Sequence, residues 1–180
     1  MKKKNEKSVN FKELDWNTVD EKKAGFFYDE ALAYSNGLLV DIRSLNAKAF
    51  QLLAFVLPVF TAIVGFLIAA WENESFINFR LPGITICSGL FMVLVFLVVS
   101  VFPRFIYQSQ NPPESYFSGN FYKEDMLRIL SFAIASINKY IKHNYCIMLF
   151  RGRFLTAAII TLLATPLVTI AIFLARLLNQ

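Results

Sequence analysis

The sequence predicts an all-α integral membrane protein with three transmembrane helices and cytoplasmic helical extensions. Three observations predict it. Apolar residues make up 56% of the 180 and charged residues 17%, against about 25% charged in soluble domains. The apolar residues gather in three runs, 49–71, 81–103 and 154–175, that contain no Asp, Glu, Lys or Arg. Each run meets the roughly 20 residues a helix needs to cross a 30 Å hydrocarbon core.

The elements follow in chain order. Residues 1–16 read as a loosely ordered basic N-terminus with Lys2–Lys4 as its densest charge. Residues 17–180 read as a single helical membrane domain. Its first helix covers about 17–48, with Asn17 or Thr18 as cap and Glu21 near N3. Phe27, Ala31, Tyr34, Leu38, Ile42, Leu45, Ala49 and Leu52 recur at intervals of three or four, which defines one apolar seam. Gly37 weakens the helix locally. The seam enters the first span without a breaker, so the helix is predicted to project from the membrane as a stalk.

Trp71 closes the first span and Tyr107 follows the second, both suited to an aromatic belt. Pro58 and Pro166 lie inside spans, where each removes an i→i−4 hydrogen bond. Two readings stand for them: a kink tolerated by the membrane, or a hinge. Gly65 in the first span and Ser88–Gly89 in the second permit close helix contact. After the second span, Asn111-Pro112-Pro113 breaks the chain, and an aromatic turn, Glu114 to Asn120, follows. A helix over about 121–150 comes next. Leu127, Leu130, Ile134, Ile137, Ile141 and Met148 lie on one face at heptad-like spacing, and Leu127 to Ile141 form the candidate oligomer or partner face. Gly152 marks an expected break or bend before the third span. The two apolar faces outside the membrane either pack on each other or pack across subunits.

Charge sets the expected topology. Arg43, Lys48 and seven further lysines precede the first span. Arg104, Lys123, Arg128, Lys139, Lys142, Arg151 and Arg153 lie between the second and third, against Glu114, Glu124 and Asp125. The positive-inside rule places both segments in the cytoplasm, and the short 72–80 connection and the C-terminus outside, in the periplasm. Arg176 is discordant, and it sits where it can snorkel. The predicted location is the cell inner membrane.

Several function classes are disfavoured. The net charge of +5 is explained by membrane flanks, and no nucleic-acid motif accompanies it, so no nucleic acid is expected. Cys87 and Cys146 are expected as free thiols, and with no CxxC pair and a single His, His143, no zinc site is expected. No cofactor, metal or catalytic site is expected: there is no Ser/His/Asp set and no phosphate-cradling glycine loop. The first 48 residues are polar and charged, so no cleavable signal peptide is expected. No charge lies deep in a span, which disfavours an ion-coupled transporter.

Three short elements carry a resemblance: Asn46-Ala47-Lys48-Ala49 at the first membrane entry, Tyr116-Phe117-Ser118-Gly119 after the second span, and Asn138-Lys139-Tyr140 in the following helix. Their order over roughly residues 30–178 resembles the transmembrane effector family of the Pycsar anti-phage systems. It is also similar to the wider group of small membrane effectors tied to nucleotide second messengers and to retrons. The resemblance implies a homo-oligomeric effector that impairs the inner membrane after phage infection and is triggered by a cyclic mononucleotide, cCMP or cUMP, made by a partner cyclase. A phosphate would meet helix N-termini or basic residues, with Arg43, Lys48, Arg128, Lys139 and Arg151 as candidates. The alternative for each is a membrane-flanking or solvated charge. The alternative for the protein is a non-enzymatic anchor or sensor that recruits a soluble defence partner through its cytoplasmic helices.

Overall fold

A computed structural model describes residues 18–71, 76–108 and 124–178. The basic N-terminus 1–16, the Asn17 cap, most of the outer connection, the Asn111-Pro112-Pro113 break, the Tyr116–Gly119 element and Lys123 lie outside the described residues. Among the described residues the regular structure is helical: α1 spans Glu21–Trp71, α2 spans Ile77–Val101 and α3 spans Met126–Leu178. All three are long and apolar enough to cross a membrane.

The first turn of α1 is capped by Asp20, not by Thr18. The Asp20 Oδ1 accepts from the Lys23 amide at 2.7 Å, which satisfies one of the four donors a helix start leaves open. That hydrogen bond holds the Asp20 carboxyl below its ordinary pKa. α2 stops because Pro103 follows Phe102, and a residue before proline is pushed out of the helical region. Phe102 has φ −51° and ψ 132°. α3 runs through Gly152 without the expected break, and α1 and α3 remain helical through Pro58 and Pro166. Pro82 is buried near the start of α2.

The chain divides into two compact units. The polar unit contains residues up to 39 together with 106–145. The apolar unit contains 40–105 and 146–180. α1 and α3 each contribute to both.

In the apolar unit, Ala49 and Val56 of α1, Leu90, Val93 and Leu97 of α2, and Leu155 and Ala158 of α3 form one core. Their spacings of three, four and seven are those of a helix seam. Outside that core the helices stay apolar. Phe55, Ile68, Leu163 and Leu167 are each about two-thirds exposed. Water would penalise such a surface, while hydrocarbon does not. This exterior is compatible with a multi-pass membrane protein. Gly89 sits against α3: a Cβ built there would lie 2.9 Å from Thr165 Cβ and closer still to its Oγ1. Gly65, grouped with it on sequence, faces open space.

In the polar unit, α1 buries Ala24, Ser35 and Leu38, and α3 buries Ala133, Ile134, Ile137 and Asn144. Phe27 and Tyr34, assigned to the α1 seam on hydrophobicity, are instead exposed. The seam runs through residues 24, 28, 31, 35, 38, 42, 45 and 49, with Ser35 buried in it. The expected seam matches at Ala31 and from Leu38 onward, and lies one residue off at Phe27 and Tyr34. The reason is that a small polar residue fills a buried position while a large aromatic beside it does not.

Candidate functional site

The five candidate cations are not presented alike. Arg128 and Lys139 belong to the polar unit, and Arg43, Lys48 and Arg151 to the apolar unit. Arg128 is exposed and pairs with Glu124 one turn earlier at 2.7 Å, an interaction of the kind that contributes at most a few tenths of a kcal/mol on a helix surface. Lys139 and Arg43 are exposed. Lys48 lines a groove described below. Arg151 is 2% exposed and is a structural centre, not an open anion site.

The Arg151 centre gathers all three helices. Its Nη1 donates to Asn46 Oδ1 of α1 at 2.7 Å. Its Nη2 donates to the carbonyl of Phe102, the residue that ends α2, at 3.4 Å. Ser100 Oγ, 1% exposed, donates in return to the Arg151 carbonyl at 3.2 Å. A guanidinium at a helix C-terminus meets open carbonyls and the negative end of the helix dipole. These supply its compensation, since both acceptors recorded for the side chain are neutral. Its Nε is buried without a hydrogen-bond partner. Burial, and secondarily the charge of Arg104, push the Arg151 pKa down from its ordinary value; arginine starts high enough to stay charged at neutral pH. Arg104 itself lies over the Phe150 ring, 3.6 Å from its centroid, a cation–π contact.

The opposite end of the apolar unit uses the same chemistry with less burial. Arg80, in the first turn of α2, donates through Nη2 to the carbonyl of Trp71, the last residue of α1. Its guanidinium carbon lies 5.2 Å from the Trp71 ring centroid. A cation in the first turn of its own helix is unfavourable, so the α1 C-terminus accounts for its position.

The polar unit has its own fixed point. Asn144, fully buried, receives the Tyr107 amide on Oδ1 at 3.2 Å and donates through Nδ2 to the Tyr107 carbonyl at 2.8 Å. This is how one peptide group pairs with another, and it satisfies the irregular chain after α2. Tyr107 stacks on Tyr140, with centroids 5.1 Å apart and planes 11° apart, and takes His143 edge-on at 4.8 Å. His143 is exposed and contributes to this aromatic cluster.

The expected oligomer face is partly consumed inside the chain: Ile134 and Ile137 are buried within the polar unit, and Leu127, Leu130 and Ile141 are half-buried. Among the described residues no group of His, Cys, Asp and Glu could hold a metal ion. Ser100, Asn144 and Arg80 were missed from the sequence, and Asn46 was named only as part of the Asn46–Ala49 element. A usable signal was present: Asn144 and Arg151 lie seven residues apart, in phase with Ile137 and Ala158, so a polar residue was holding a seam position.

One groove in the apolar unit has a volume of about 640 Å³ and runs between α1 and α3. Asp41, Ser44 and Lys48 line one wall; Gly152, Arg153 and Thr156 line the other, with apolar neighbours. No protein-family model, curated protein or solved structure matches the chain.

Proposed function

We propose that the protein is a non-enzymatic, multi-pass membrane effector of prokaryotic anti-phage defence. Its polar unit receives a signal, and its three apolar helices respond by impairing the inner membrane as an oligomer. The observation that carries this reading is the continuity of α1 and α3. Each is a single helix, of 51 and 53 residues respectively, with residues in both units. A displacement of either helix in the polar unit has no loop in which to dissipate. The Arg151 centre ties the same two helices to the end of α2, so all three helices share the displacement. The defence role and the cyclic-nucleotide trigger rest on the order of short elements that resembles Pycsar effectors. The test is expression in cells loaded with a voltage-sensitive dye, with and without cCMP, cUMP or phage. Depolarisation under a trigger is expected; a membrane potential that holds under every trigger refutes the effector.

A second reading is favoured by a separate observation. Phe26, Phe27 and Tyr34 of α1 are 61%, 42% and 57% exposed in the polar unit, an aromatic surface outside the apolar runs. An anchor that recruits a soluble partner would present such a surface. Phe27→Ser with Tyr34→Ser would then release the partner in a pull-down while leaving the membrane potential response untouched.

A further inference from the structure

We infer that the α1–α3 groove of the apolar unit binds the headgroup and upper acyl chain of an anionic phospholipid. The inference rests on the membrane reading above and adds a ligand to it. Lys48 is the last residue before the charge-free run 49–71, and Arg153 the last before the charge-free run 154–175. Both line the same groove. Two helices therefore bring their boundary cations to one place, at the level where a bilayer carries its phosphates.

The lining grades in the direction a lipid requires. Ser44 and Thr156 add hydroxyls near the cations, and beyond them α3 continues with Ala157 and Ile160, an apolar track for an acyl chain. Asp41 is the opposing charge. It lies seven residues before Lys48, about 10 Å along the helix at 1.5 Å per residue, on the polar side of the groove. Two cations against one distant carboxylate favour an anion over a zwitterion. Gly152 keeps the wall low: a Cβ there would meet nothing within 4 Å, so the space beside it belongs to the groove and not to protein packing.

The experiment measures retained lipid by native mass spectrometry of the full chain in mild detergent, with phosphatidylglycerol or phosphatidylcholine added. The wild type is expected to prefer phosphatidylglycerol by roughly tenfold, the scale set by one or two basic residues at an anionic surface. Lys48→Gln with Arg153→Gln should abolish the preference. Gly152→Leu should reduce binding of both lipids by filling the groove from a position with room for a side chain. Lys142→Gln, an exposed cation outside the lining, should change nothing. Equal retention of the two lipids by the wild type overturns the inference, as does a preference that survives both groove variants or falls equally in Lys142→Gln. Displacement by inorganic phosphate as complete as by phosphatidylglycerol also overturns it, assigning the site to a free phosphate. Alkaline carbonate extraction separates the two levels. A chain released from membranes overturns the membrane reading and this one together, whereas a chain retained without lipid preference overturns this one alone.

Discussion

The two ends of the apolar unit solve one problem at different depths. At each, a helix terminates and an arginine from the next helix covers its last carbonyl: Arg80 on Trp71 and Arg151 on Phe102. Each guanidinium also leaves its Nε buried without a hydrogen-bond partner. The surroundings differ. Arg80 links the last residue of α1 to the first turn of α2. Arg151 is almost fully buried, reaches α1 through Asn46, and has its own carbonyl held by Ser100. The lesson is that a helix cap becomes a junction when it is buried among three helices. Removing it then strands several polar groups instead of one.

That comparison predicts a graded series in thermal unfolding in mild detergent. Arg151→Ala should have the largest effect, about 1–3 kcal/mol for each buried acceptor left unpaired. A loss no greater than that of Arg80→Ala would remove the distinction between the ends. Gly89→Val should come next, at about 1–3 kcal/mol from overpacking against Thr165. Gly65→Val should lose far less, because no neighbour stands near it. If both glycine variants unfold alike, close approach of α2 to α3 is not what Gly89 provides. Asn46→Ala should cost about 1.5–3 kcal/mol, the range for a hydrogen bond to a charged group, and less than Arg151→Ala because only one contact of the centre is lost, with Asn46→Asp restoring or exceeding wild-type stability by giving Arg151 a charged acceptor. An Asp variant weaker than the Ala variant would show that the centre is not deficient in negative charge. Arg80→Ala should be smallest, at or below about 1 kcal/mol, since Arg80 is only half-buried and water can replace the donor.

Most of the helical content was legible. The charge-free runs 49–71, 81–103 and 154–175 each fall almost wholly within an observed helix, because periodicity and length are local properties. The boundaries at Pro103 and Asp20 follow from proline sterics and carboxylate capping, though the expected cap was Asn17 or Thr18. Gly152 was misjudged: glycine only weakens a helix, and the helix-favouring Arg151 and Arg153 flank it. The seams were legible wherever apolar residues filled them and were lost at Ser35, Asn144 and Arg151. Hydrophobic pattern cannot register a polar residue whose partners lie on another segment. For the same reason the five candidate cations looked equivalent in the sequence, although one is buried, one is ion-paired and one lines a groove.

The sequence by itself determined that this chain makes helices, that three stretches are long and apolar enough for a bilayer, and where the basic residues concentrate. These depend on composition and on the 3.6-residue period, which act over neighbouring residues. Only the tertiary structure decided that Arg151 joins Asn46 to the end of α2, that Asn144 holds Tyr107, that Gly89 and not Gly65 is a contact, and that Lys48 and Arg153 share a groove. Each of these pairs residues between 37 and 105 positions apart, and their meeting depends on how α1, α2 and α3 turn about their own axes when they pack. The helical period assigns each residue to a face of its helix, and the neighbour that face receives is set by the packed structure alone.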